Sequence, residues 1–149
     1  MEDNAAFFEL ETPSPYMLLI ADVVKNRRNS LPPHYHEMPL WEKLYYKRSD
    51  VQSITHLDFS ARIQTVHRET NERYWSLIER FKAKTGYGVI VNTSFNVRGE
   101  PIVCTPTDAY KCFMRTEMDY LVIGDYLFAK NEQPNWQDKE NWKETFKLD

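Results

Sequence analysis

Cysteine is scarce. Cys104 and Cys112 are the only two in 149 residues, so no disulfide framework can hold this chain together. Long apolar runs are missing too. The longest, at 16–21, is strand-sized and far short of the ~20 residues a membrane helix needs. The acidic opening, Met-Glu-Asp-Asn, lacks the basic-then-apolar pattern of a secretory signal. Excess positive charge is absent: the net charge of −3 argues against a generic nucleic-acid-binding surface. These absences favour a reduced, cytoplasmic protein with no membrane partner. What is present suits a folded core. Hydrophobic residues make up 42% and aromatics 14% of the chain, which excludes disorder along most of it. A domain of about 150 residues buries roughly two-thirds of its unfolded surface.

The pattern predicts alternating helices and strands. A short apolar helix is expected at 4–10, then a strand at 16–24 whose nearly continuous apolar run (MLLIADVV) implies burial on both faces. The stretch 25–37 (KNRRNSLPPHYHE) reads as a solvated loop, and 41–48 as a short helix or irregular strap. Residues 51–66 read as two short strands around a turn at 56–58, with Arg62 and Gln64 on one face. Asn71 should cap a helix to about Lys84, with Tyr74, Trp75, Leu77, Ile78 and Phe81 as its core stripe and Gly86 as its end. Residues 89–91 read as a strand and 92–101 as a polar loop. Thr105, Pro106 and Asp108 form a helix start: a hydroxyl cap, proline in the first position, an acid in the first turn. Gly124-Asp125 between two apolar triplets signals a two-residue hairpin. After Lys130 the chain is polar, with Trp136, Trp142 and Phe146 as isolated apolar residues. The sum is one α/β domain with a mixed, twisted sheet.

Two segments carry chemistry. In 89–101 (VIVNTSFNVRGEP) a strand delivers hydroxyls, amides and Arg98 to a loop, and ligands of open α/β sheets sit at the carboxyl ends of strands. A turn whose Asn and Ser bond their own backbone accounts for the same residues equally well. In 56–65 (HLDFSARIQT) the permanently cationic Arg62 suits a phosphate or a carboxyl-like group. A weak Asp58–Arg62 surface pair is the simpler account there. His34 and His36 have metal-ligand spacing with only Glu37 beside them, and a solvated loop explains them better. Asn92-Thr93-Ser94 matches a glycosylation acceptor, which carries little weight without a secretory signal. The cysteines read as packing residues.

The strings SITHLDFSARIQTV (53–66) and VNTSFNVRGEPIVCTPTDAYKCFMRTEMDYLVIGDYLF (91–128), with PSPYM (13–17) and NERYWSLIERF (71–81), resemble the C-terminal domain of carbamoyltransferases that act on antibiotics and nodulation factors. The resemblance implies a YrdC-like α/β fold, a twisted open mixed sheet with flanking helices. Residues 1–130 would form this domain and 131–149 a polar tail. It also implies that the domain binds ATP, with magnesium, and carbamoyl phosphate, and builds carbamoyl-adenylate. A separate N-terminal domain carrying iron then moves the carbamoyl group to an acceptor hydroxyl. By the resemblance, Thr93, Ser94, Asn96 and Arg98 would contact ATP or the adenylate. His56, Ser60, Arg62 and Thr65 would surround carbamoyl phosphate. No nucleophile is implied, so the protein would supply positioning and charge neutralisation.

The sequence departs from the family in two ways. A Lys-x-Arg-Glu-x-x-Arg-Pro segment that contributes cations to the nucleotide site, and the transfer domain itself, are expected to come from a partner chain or an absent part. Phe59 stands where the family often has Gly or another small residue. The expectation is therefore part of an O-carbamoyltransferase with little turnover by itself. The alternative is a non-catalytic binding module, or a remnant with an incomplete nucleotide site. An RNA-binding protein of this fold is disfavoured by the acidic balance.

Overall fold

The computed structural model describes residues 4–136. Trp142 and Phe146 of the expected tail lie outside them. The chain divides into two compact units, with the boundary between Val91 and Asn92.

In the first unit, helix α1 (Asn4–Phe7) is a single turn that ends three residues before the expected Leu10. Strand β1 (Leu19–Asp22) pairs antiparallel with β2 (Ser60–Ile63), in the register Leu19 to Ile63 and Ile20 to Arg62. Residues 7–9 run beside 22–24, with Glu9 N–H donating to Asp22 O at 2.8 Å and Val24 N–H to Phe7 O at 2.9 Å. This brings Phe7, Phe8 and Val23 onto Ala61 and Ile63 as the unit's core. Each large apolar side chain buried there contributes roughly 1.5–3 kcal/mol.

Between the strands lie α2 (Leu40–Tyr45) and short 3-10 turns at Lys25–Arg27, Tyr35–Glu37 and Gln52–Ile54. Arg27 and Arg28 are not solvated loop cations. Arg27 pairs with Asp50 and lies 3.8 Å from the Phe7 ring centre. Arg28 donates to Val23 O at 2.6 Å and pairs with Asp22 at 2.9 Å. Helix α3 (Glu72–Thr85) begins where Asn71 accepts from Tyr74 N–H at 3.1 Å and ends at Gly86, whose φ of 81° only glycine adopts easily.

In the second unit, Thr105 and Asp108 form a reciprocal capping box at the start of α4 (Pro106–Arg115). Strands β3 (Tyr120–Ile123) and β4 (Tyr126–Ala129) form a hairpin through Gly124, φ 59°, and Asp125. Positive φ at only the first of two loop residues fits a type II′ turn. Ala109 and Phe113 of α4 pack on Leu121 of the hairpin, with Tyr110 and Phe128 around them. Trp136 docks edge-on against Tyr110 at 5.9 Å. Lys130 caps the end of α4, donating to Phe113 O and, at 2.9 Å, to Thr116 O.

Several expectations change. The described residues build two separate two-stranded antiparallel sheets, not one mixed sheet. Residues 89–91 form no strand, and 51–66 supply one strand after a 3-10 turn. β1 is not buried on both faces: Leu19 is 38% and Ile20 60% exposed. Nor is the α3 stripe core, because Leu77 and Phe81 are exposed. An apolar run shows which surface prefers burial, but a neighbour must exist to cover it. No helix among the described residues is long and apolar enough to cross a membrane.

Candidate functional site

The turn before β2 is closed by its own backbone. His56 N–H donates to Ser60 O at 2.8 Å and Phe59 N–H to His56 O at 3.2 Å. Closing so tightly forces Phe59 to φ 68°, the left-handed region that glycine occupies without cost. The phenyl ring is held there by the Arg28 guanidinium, 5.2 Å from its centre. The unusual residue therefore alters the turn's energetics while its ring lies toward Arg28.

Within this turn three side chains connect. Asp58 Oδ1 accepts from the Ser60 hydroxyl at 2.7 Å and from Ser60 N–H at 3.0 Å. Ser60 Oγ lies 2.9 Å from His56 Nδ1. The Ser60 hydroxyl first, then its N–H, holds the Asp58 carboxyl below its ordinary value of 3.8. The expected Asp58–Arg62 pair is not formed, because the aspartate folds back on Ser60, two residues along, as an Asx turn.

Arg62 is left on the exposed side of β2, with no ion pair or side-chain hydrogen bond among the described residues. It shares a strand face with Ser60, since alternate residues point the same way. Thr65 differs from its expected companions. Its buried hydroxyl accepts from Ser14 N–H at 2.9 Å and lies 3.3 Å from His67 Nε2, so it fastens the chain crossing at Ser14. Ser14 completes the fastening, donating its hydroxyl to Ile63 O at 2.8 Å.

Sequence reasoning missed Arg48 altogether. It is 3% exposed and donates to Thr55 O at 2.9 Å, His56 O at 3.0 Å, Tyr46 O at 3.2 Å and the Lys43 carbonyl. One guanidinium thus binds the end of α2 to the entrance of the 56–60 turn. No sequence spacing marks it, because its partners are backbone carbonyls on both sides.

The other four expected residues belong to the second unit. Thr93 and Ser94 are exposed at the start of the loop. Asn96 is a loop organiser: its Nδ2 donates to Val97 O and Glu100 O, both at 3.0 Å. Glu100 N–H closes a turn onto Val97 O at 3.0 Å, with Gly99 at φ 86° in the third position, as a type II turn requires. Arg98 is thereby presented, exposed, at the turn's corner. Glu100 is anchored by Arg115 at 3.2 Å, with side chains 12% and 3% exposed. This nonlocal pair was also invisible in sequence. Burial, and then the Glu100 charge, push the Cys112 thiol up, so it is an inert packing group. Cys104 is exposed rather than packed, its thiol lying 3.3 Å from Ile102 O. Among the described residues no group of three His, Cys, Asp or Glu could hold a metal ion, and His34 and His36 gain no such partners.

The comparisons point one way. A family model, Carbamoyltransferase C-terminus, matches residues 1–130. An uncharacterized protein of Synechocystis is 57% identical over 143 residues, covering 96% of this chain and 23% of that protein. The nodulation protein NolNO of Sinorhizobium fredii is 36% identical over 132 residues, covering 87% of this chain and 16% of that protein. The 3'-hydroxymethylcephem-O-carbamoyltransferase of Amycolatopsis lactamdurans is 33% identical over 93 residues, covering 60% of this chain and 18% of that protein. The chain thus spans less than a quarter of the length of each of these relatives. By this match, the chain belongs to the carbamoyltransferase C-terminus family.

Proposed function

We propose that this chain is the activating portion of an O-carbamoyltransferase and contributes to a YrdC-like site for ATP and carbamoyl phosphate. In the proposed reaction water converts carbamoyl phosphate to carbamate and phosphate. A carbamate oxygen then attacks the α-phosphorus of ATP, forming carbamoyl-adenylate and expelling pyrophosphate. A separate domain or chain passes the carbamoyl group to an acceptor hydroxyl. Magnesium would travel on the ATP phosphates. The described residues offer no cluster for a resident metal, and iron is expected only with the transfer domain.

The observation that carries the reading is Arg62. It is an exposed guanidinium without a counter-ion among the described residues, on the strand face of Ser60, in a chain of this family. A free fork of N–H donors suits a phosphate dianion. In the second unit, Arg98, exposed at the corner of a braced turn, and the exposed hydroxyls of Thr93 and Ser94 are assigned to ATP. In this reading Asn96 supports the loop, and Thr65 supports the strand, without requiring direct contact from either.

Calorimetry with carbamoyl phosphate and with Mg-ATP tests the two halves separately. Loss of a charge-assisted contact costs about 1.5–3 kcal/mol, or roughly 10- to 100-fold in affinity. Arg62→Met should lose that much for carbamoyl phosphate, and Arg98→Met for ATP. Pyrophosphate release should require both substrates and rise when a relative's transfer domain is supplied. Unchanged binding in both variants would sink the assignment. Binding without pyrophosphate release under any supplement would mark a binding module instead.

A further inference from the structure

We infer that Asp58 and Ser60 are positioning residues that act through His56, fixing its imidazole as the Nδ1–H tautomer and leaving Nε2 to accept a hydrogen bond from the N–H of a carbamoyl group. The ligand part of this inference rests on the function proposed above. The tautomer does not.

Ser60 has one hydroxyl proton and two close neighbours, Asp58 Oδ1 at 2.7 Å and His56 Nδ1 at 2.9 Å. A carboxylate can only accept. Asp58 is ionised at neutral pH, so the Ser60 proton points at it. The oxygen then turns lone pairs toward the imidazole, and the contact at Nδ1 is a hydrogen bond only if Nδ1 carries the proton. In the neutral ring Nε2 must therefore be the acceptor. The opposite tautomer would set an unprotonated Nδ1 against the Ser60 oxygen, without a hydrogen between them.

The rest of the turn holds this arrangement still. Ser60 is fixed by the β1–β2 ladder and by its N–H to Asp58, and His56 by its backbone bond to Ser60 and by Arg48 on its carbonyl. Asp22, across the ladder from Ser60, is held by Arg28 at 2.9 Å and does not compete for the hydroxyl. Nε2 of His56 has no partner among the described residues, and the side chain is exposed.

Ser60 and Arg62 lie two residues apart on one strand face, about 6–7 Å along it. Ser60 holds the imidazole that supplies the acceptor, 2.9 Å from its Nδ1, and Arg62 supplies a cationic donor fork. Carbamoyl phosphate has the complementary pattern, an amide donor at one end and phosphate acceptors at the other. Acetyl phosphate has the same phosphate but a methyl group in place of the amide. A site that hydrogen-bonds a substrate N–H discriminates against the analogue lacking it. His56 is thus assigned as the residue that reads the amide, with Asp58 and Ser60 setting its state.

Nitrogen NMR of the ring-labelled protein tests the tautomer, with no ligand present. His56 should show a pyrrole-like Nδ1 and a pyridine-like Nε2 above its titration range. Asp58→Asn, which can donate to Ser60 and release its proton toward Nδ1, should shift the ring toward the Nε2–H form. A wild-type Nε2–H ring, or no change in Asp58→Asn, overturns the relay. Competition calorimetry tests the reading of the amide. The wild type should favour carbamoyl over acetyl phosphate about tenfold. Asp58→Asn and Ser60→Ala should both reduce that preference below about threefold, chiefly by weakening carbamoyl phosphate binding. A preserved preference in either folded variant overturns the specificity role. If neither acyl phosphate binds, the amide-reading role falls together with the proposed function. The NMR result then still decides the tautomer, so the two failures are distinguishable.

Discussion

Replacing Arg48 by methionine removes the donors that join α2 to the 56–60 turn while keeping an unbranched apolar stem. The side chain has well-formed bonds to Thr55 O at 2.9 Å and His56 O at 3.0 Å, and a further one to the Lys43 carbonyl. Each charge-assisted bond contributes roughly 1.5–3 kcal/mol net of desolvation. Three bonds from one guanidinium are not additive, and methionine also relieves the burial of an ion that has no carboxylate partner among the described residues. The loss is therefore placed near 2–4 kcal/mol, in the upper part of the range for single substitutions. For a chain of this size that is a fall in melting temperature of roughly 5–15 °C. Urea titration followed by far-ultraviolet circular dichroism measures it directly. Arg48→Lys should recover only part of the loss, because an ammonium lacks the planar fork that reaches both sides at once. A cost below about 1 kcal/mol for Arg48→Met would refute the reasoning, showing that water satisfies those carbonyls as well as the guanidinium does.

Three further outcomes are expected. Phe59→Gly should be more stable than Phe59→Ala by about 1–2 kcal/mol in the same titration, since both lose the ring but only glycine escapes the left-handed penalty; the reverse order would remove the strain argument. Gly124→Ala should cost about 1–2 kcal/mol for backbone reasons, because a Cβ there meets nothing within 4 Å. Asp58 and Asp108 both sit below their ordinary carboxyl value of 3.8, each held first by a hydroxyl donor, Ser60 and Thr105 respectively. Their stabilisation is therefore present above 3.8 and lost as pH falls through their lower folded values. Denaturation between pH 5 and 2 should show a smaller acid-induced loss in the Asp58→Asn/Asp108→Asn double variant, and an equal loss would contradict that.

What the sequence alone determined was local chemistry. Asn71 with Gly86, the Thr105–Pro106–Asp108 helix start and the Gly124-Asp125 hairpin were legible because each depends on a hydrogen bond or a backbone angle within a few residues. The Asp58–Ser60 contact is just as short-range, yet the sequence suggested an Asp58–Arg62 pair in its place, and only the folded turn shows the aspartate turned back on Ser60. The tertiary structure decided the rest. It left β1 and the α3 stripe exposed, since an apolar pattern names a face but not its cover. It gave residues 89–91 no ladder, since a strand exists only beside a partner. It set Thr65 on Ser14, Glu100 on Arg115 and Arg48 among carbonyls from two segments. Those partners meet only when distant backbone is brought together, and one-dimensional spacing carries no trace of that meeting. The same holds for Arg62: its charge is written in the sequence, but its lack of a counter-ion among the described residues is a property of the fold.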